Sequence, residues 1–143
     1  MTEIRFHVNV SNAAIYTCRL VRKAVRSGAK VTISGPPTIL AQLDKTLWEF
    51  EPLEFIPHVM PRGGQPLPSR LQDTPVWLVA DLDHAAHHDV LVNLHDDAPP
   101  GFESYRHVVE IVANDEAALA AGRRRWRHYA TRGYAPEKHE VAA

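Results

Sequence analysis

Apolar and polar residues alternate along Ile4–Val10, with Ile4, Phe6, Val8 and Val10 in step, and this two-residue period predicts a first strand. The period then lengthens. Ala14, Cys18, Val21 and Val25 recur at spacings of three and four, which predicts a helix capped by Ser11 or Asn12 and running to about Ser27. Gly28 supplies the stop, and the β-branched run Val31–Ser34 reads as a second strand. Gly35-Pro-Pro breaks the chain before a second helix striped by Ile39, Leu40, Leu43 and Leu47. A third extended segment falls at Phe55–His58. Pro61–Pro75, rich in proline and glycine, reads as a long loop. Val76–Ala80 and Val90–Leu94 are nearly all apolar, as strands buried on both faces are. After the polar loop Asp96–Gly101 come a last strand, His107–Val112, and a final helix capped by Asp115 that reaches about Arg132 before Gly133.

Strands alternating with helices predict an α/β fold, a three-layer α/β/α arrangement around a mostly parallel central sheet with no P-loop. The 143 residues fit one domain, placed at 1–134 with 135–143 as a C-terminal tail. Basic and acidic residues nearly cancel, at a formal net charge of −1. A protein that coats nucleic acid usually carries a clear positive excess, so any electropositive function here is local. The single cysteine, Cys18, allows no intramolecular disulfide, which fits a reducing compartment. The N-terminus lacks the pattern of a signal peptide, and no apolar run approaches the roughly 18–20 residues of a membrane span. The expectation is a soluble, cytoplasmic protein with no membrane partner.

Catalytic chemistry is hard to assemble. The turn after the first strand, Asn9-Val-Ser-Asn12, has no glycine to admit a phosphate. Gly35-Pro-Pro-Thr38 lacks the Gly-Lys-Ser/Thr of a P-loop, and its prolines remove amide donors. Asp81, Asp83, His84, His87 and His88, with His95-Asp-Asp97 just beyond, form the richest metal-like cluster. It contains no His-Glu-x-x-His motif, and a solvated loop with surface histidines accounts for it as well. Cys18 lies on an apolar helix face, where cysteine behaves as a small hydrophobe. No catalytic residue, metal or cofactor is assigned.

The final helix is the unusual element. Arg123 and Arg127 stand one turn apart with Trp126 between them on nearly the same face. Two guanidinium groups beside an indole suit a ligand that is both acidic and apolar. Basic residues near a helix C-terminus also favour the macrodipole, and Trp126 and Tyr129 could pack on the sheet instead. A second aromatic group, Leu47-Trp48 followed by Phe55-Ile-Pro57-His58, reads either as a hydrophobic wall or as core.

Together these segments resemble the chi subunit family of bacterial DNA polymerase III. The resemblance is carried by Leu47-Trp48, Phe55-Ile-Pro57-His58, Gly63–Pro66, Val90–Leu94, Val108–Val112, and Arg123 to Arg127 with Gly133-Tyr134, in register from about Asp44 to Tyr134. It implies a sheet of five or slightly more strands, related in shape to helicase-type domains but without nucleotide chemistry. It implies an accessory, non-catalytic clamp-loader subunit of a holoenzyme with DNA-directed DNA polymerase activity. Two partners follow from it: the psi subunit, and the acidic C-terminal tail of single-stranded-DNA-binding protein, which ends in proline and phenylalanine. DNA is then met mainly indirectly. The resemblance places tail binding at Trp48, Pro57, Val112, Arg123, Trp126 and Arg127.

Two other functions fit parts of the sequence. One is a small metal-dependent hydrolase built on His84, His88 and His95. The other is direct binding of single-stranded DNA by Arg123–Arg132, with Trp126 and Tyr129 as stacking platforms.

Overall fold

The structure, a computed structural model, describes residues 2–50, 56–61, 69–82, 85 and 87–141. Strand β1 (Glu3–Val10) is followed by helix α1 (Ala13–Arg26), β2 (Val31–Ser34) and α2 (Pro37–Glu49). Then come β3 (His58–Val59), β4 (Val76–Val79), β5 (Val90–Asn93), β6 (His107–Ala113), α3 (Glu116–Thr131) and β7 (Glu137–Glu140). The helices start where the capping logic places them. Asn12 accepts a hydrogen bond from the Ile15 N–H at 3.1 Å, and Asp115 accepts one from Ala118 at 2.9 Å. Helix α2 opens on Pro37, whose missing N–H costs nothing in a first turn.

The seven strands form one sheet in the order β3-β4-β2-β5-β6-β1-β7, and every neighbouring pair is parallel. Strands β2 and β4 are buried at every position, which explains their largely apolar and β-branched composition. Helices α1 and α2 cover one face through Cys18, Val21, Leu43 and Leu47 against Ile33, Val92 and Ile111. Helix α3 covers the other, where Phe6, Leu91, Val108 and Tyr129 meet. Over Trp77 this second layer is completed by the segments around Leu82 and Phe102–Tyr105.

Three features depart from the sequence reading. The alternation in β1 is broken: Asn9 takes a left-handed conformation (φ 63°) at a register shift between His7 and Val10. Ile4 and Phe6 therefore face α3, whereas Val10 joins the core under α1. The second departure is β7, which lies in the segment read as a tail and pairs with β1 from Arg5↔Glu137 to Val8↔Glu140. Its sequence, Glu-Lys-His-Glu, has no apolar period and all four residues are exposed. The strand exists through main-chain bonding to β1, a tertiary cause that periodicity does not register. The third extended segment is shorter than expected, and Phe55 lies outside the described residues, as do Gly63–Pro66 and His84.

The core also holds a charge. Glu110, in the middle of β6, is fully buried. It accepts from Arg125 Nε at 2.6 Å, from the Tyr129 hydroxyl at 2.5 Å, and from Asn93 Nδ2 at 3.0 and 3.2 Å. Arg125 Nη1 continues to the Asp96 carbonyl at 3.2 Å, and Asn93 reaches the Asp97 carbonyl at 3.1 Å. Burial pushes the Glu110 carboxyl up, against the pull of Arg125 and the three donors. Replacing Arg125 with Met strands that carboxylate, and the expected loss is about 3 kcal/mol of unfolding free energy. Urea denaturation reads it as a lower midpoint, with partial recovery when Glu110→Gln is added. An unchanged midpoint in the single variant would remove the pair from the account of how α3 is held.

Candidate functional site

Helix α3 sits close on β6 because Gly122 lets it. A Cβ at that position would lie 3.1 Å from both methyl groups of Val112. This approach shapes a cavity of about 390 Å³ at the sheet edge, between α3 and strands β1, β6 and β7. Its floor is apolar, made by Val112, Phe6, Val8 and Leu119, and the half-buried Trp126 forms a wall with its ring 5.0 Å from that of Phe6. Arg123 and Lys138 stand at the rim with Asn9, Asn114 and Glu140. An apolar floor beneath two cations can seat a hydrophobic side chain while pairing a neighbouring carboxylate.

Of the six positions singled out from the sequence, the structure brings three into this cavity: Val112, Arg123 and Trp126. Arg127 lies one turn beyond Arg123 on α3 and is exposed, outside the cavity lining. Trp48 and Pro57 are elsewhere. Trp48 ends α2 on the opposite face, 56% exposed, with its ring 4.9 Å from that of His58 on edge strand β3. His58 is held there by the Ile56 carbonyl at 2.7 Å and Asp44 at 2.9 Å. Five strands separate β3 from β7, so the six positions form two patches on opposite faces and edges.

Sequence reasoning missed Arg125, which reads as one more member of the Arg123–Arg127 run but turns inward to Glu110. The signal was available. A glutamate inside Val-Val-Glu-Ile-Val and an asparagine inside Val-Leu-Val-Asn cannot be buried without partners. It also missed Lys138, because β7 was not expected.

A family model described as DNA polymerase III chi subunit, HolC, matches residues 1–137. The chain belongs to the DNA polymerase III chi subunit family. Among curated relatives, the DNA polymerase III subunit chi of Pseudomonas aeruginosa is 30% identical, with 99% of this chain and 98% of the relative covered. The protein of the same name from Haemophilus influenzae is 26% identical, with 91% of each covered. Among solved structures, domain 2 of the DEAD-box helicase Mss116p bound to an RNA duplex aligns with a TM-score of 0.59 at 12% identity. That alignment covers 99% of this chain and 64% of the helicase chain, and it bears on the fold alone. Membership ties the chain to DNA replication as a polymerase III subunit. Among the described residues, no helix is long and apolar enough to cross a membrane.

Among the described residues, the histidines of this stretch each have local neighbours. His87 is half-buried beside Thr32 and Trp77, and His88 bonds Ser104 at 2.9 Å with its ring 4.8 Å from that of Tyr105. His95 faces the Ala80 carbonyl at 3.2 Å. Among the described residues, no group of three His, Cys, Asp or Glu side chains is placed to hold a metal ion.

The strand that completes the cavity is held by titratable contacts. On the face turned from the cavity, His7 Nδ1 bonds the Tyr16 hydroxyl, and the His7 ring lies 5.0 Å from that of His139 on β7. Arg5 meets Glu137 at 3.6 Å. Burial, then His139, then Arg5 lower His7 to about 4. A histidine depressed on folding favours the neutral form, so its support is complete above the unfolded value of 6.5 and is lost as pH falls toward about 4. Hydrogen exchange at the Val141 N–H, which donates to the Val8 carbonyl, reports this directly. Its protection factor, corrected for intrinsic exchange, is expected to fall between pH 6.5 and 4.5 and to lose that dependence in His7→Gln. A protection factor flat across the window would show that His7 does not latch β7.

Proposed function

We propose that this chain is a non-catalytic interaction subunit of the clamp-loader complex, and that it holds the acidic C-terminal tail of single-stranded-DNA-binding protein against α3. The observation that carries this reading is the coincidence, in one cavity, of the Val112–Phe6–Trp126 surface with the rim cations Arg123 and Lys138. A tail ending in proline and phenylalanine, with carboxylates before them, suits both halves. The terminal ring enters the apolar floor. Arg123 and Lys138 take the carboxylates nearest it, and Arg127 extends the cationic rim one turn further along α3.

Magnitudes divide the work. Burying a phenylalanine side chain contributes roughly 1.5–3 kcal/mol. An exposed charge pair contributes about 0.2–1 kcal/mol. The apolar insertion therefore anchors the peptide, while the cations raise the association rate and make binding sensitive to salt.

Linking that tail to the clamp loader through psi requires a second surface that stays open when the first is filled. The patch of Trp48, Pro57 and His58 meets this requirement, since it lies on the other face and the other edge. Ile39 and Trp48 are the exposed large hydrophobic residues among those described, and both are on α2. We assign psi, where the cell has one, to this patch.

Fluorescence anisotropy with a labelled tail peptide tests the first site. Saturable binding that weakens with salt is expected, and Arg123→Glu with Arg127→Glu should reduce affinity at least tenfold while leaving the thermal midpoint in place. Trp48→Ala should keep tail affinity and lose co-purification with psi. A folded wild type that does not bind, or binding indifferent to both arginines, would overturn the tail assignment. Loss of tail binding in Trp48→Ala would overturn the two-surface arrangement.

A further inference from the structure

Two histidines stand side by side at the β7 edge of the sheet, distant in sequence and paired in space. His7 on β1 and His139 on β7 are direct partners in the parallel register. Residues in register on adjacent strands project to the same face of a sheet. Here it is the face under α1, where His7 meets Tyr16, since Phe6, Val8, Lys138 and Glu140 line the cavity on the other. The two rings lie 5.0 Å apart, centre to centre, with their planes tilted by 59°.

Packing gives this pair little reason to exist. His139 is exposed and His7 only half-buried, so their contact removes little apolar surface from water. Charge gives none, because like charges directly opposite on neighbouring strands are destabilising. The separation matches a different arrangement. Two imidazole nitrogens bound to one tetrahedral zinc ion at about 2.0–2.1 Å place their ring centres about 5 Å apart.

The surroundings prepare one of the two ligands. His7 Nδ1 is bonded to the Tyr16 hydroxyl, which leaves Nε2 as the nitrogen open to an ion. With the proton on Nδ1 and donated to Tyr16, the Nε2 lone pair is free. A hydrogen bond on the far ring nitrogen is also what orients metal-bound histidines. Exposed His139 is free to rotate its ring toward the same point. Arg5, the cation beside the pair, is offset by Glu137 at 3.6 Å.

We infer that His7 and His139 form a two-histidine site for a divalent transition ion of the zinc class, with water in its other positions. Two protein ligands, where a structural zinc has four, make the ion exchangeable. Its effect is on β7. That strand has no apolar anchor of its own, and an ion shared between β1 and β7 clips it to the sheet. Lys138 lies between Glu137 and His139 on the clipped strand, so one rim cation of the cavity is steadied from behind. The ion does not compete with a peptide in the cavity, which lies on the other face.

Calorimetric titration of the metal-free full chain with zinc chloride at neutral pH tests the site. One saturable event is expected, weakened at least tenfold in His139→Gln and in His7→Gln and unchanged in His95→Gln. Exchange protection of the Val141 N–H, which donates to the Val8 carbonyl, should rise at least threefold at saturating zinc and stay flat in His139→Gln. The circular dichroism of His139→Gln, an exposed position, should match wild type, which separates a lost ligand from a lost fold. Absence of saturable binding by wild type up to millimolar zinc would overturn the site. So would equal affinity in wild type and both variants, which would move the ion to other histidines. Binding that leaves Val141 protection unchanged would overturn the bridge between the strands.

Discussion

Glu110 sits in the middle of a buried strand with no solvent around it, and a lone carboxylate there would be forced to protonate or to pull the core open. Four hydrogen bonds from Arg125, Tyr129 and Asn93 oppose both outcomes. An apolar replacement of similar shape would often be as stable, so the network is poorly explained as a source of stability. Its value is positional. Arg125 and Tyr129 are four residues apart on α3, and satisfying both against one carboxylate fixes the rotation and height of that helix over β6. Once they point inward, Arg123, Arg124 and Arg127 must point outward, and Trp126 is turned sideways onto Phe6. The cationic face and its aromatic wall are thus consequences of a constraint inside the core.

The same constraint explains the cavity. Gly122 precedes Arg125 by one turn and brings the α3 backbone down onto Val112, which leaves a gap further along where β1 and β7 run past. Strand β7 closes that gap with Lys138 and Glu140. The bulge at Asn9 helps to place it, because Asn9 Nδ2 donates to the Val141 carbonyl at 3.1 Å. A strand made only of charged and polar side chains brings little hydrophobic energy, so it depends on the main-chain ladder and on neighbours such as His7. The wall of the cavity is therefore its least firmly held part.

How far the sequence carries follows from these particulars. The helices were legible because their apolar stripes and caps are local signals: Asn12 and Asp115 bond the third residue beyond them. Strands β2, β4, β5 and β6 were legible because burial on both faces imposes an apolar run. Strand β7 was not, since its pairing with β1 is a contact across some 130 residues of chain and leaves no period in Glu-Lys-His-Glu. Arg125 was hidden for a related reason. In a run of arginines no local feature separates the one that pairs with Glu110 from those that meet solvent. Trp48 and Pro57 were grouped with the α3 residues by the family resemblance, while their own local pattern reads equally as a hydrophobic wall or as core. Only the strand order shows that β3 and β7 are opposite edges.

That separation changes what a balanced net charge means. A small α/β domain with a parallel sheet exposes two helical layers that share no surface, so charge on one layer is screened from the other over a few Debye lengths of path. Chain composition averages the layers, while a ligand meets only one. Here the sequence between Glu3 and Asp44 holds cations without carboxylates, and the fold brings acids from elsewhere to that segment, as where the Asp89 carboxylate accepts from the Lys30 N–H at 3.2 Å. The helix that shapes the cavity carries its exposed cations through a local cause, the inward turn of Arg125 that leaves its neighbours outside. A local electropositive surface can therefore exist on a protein whose formal charge is −1.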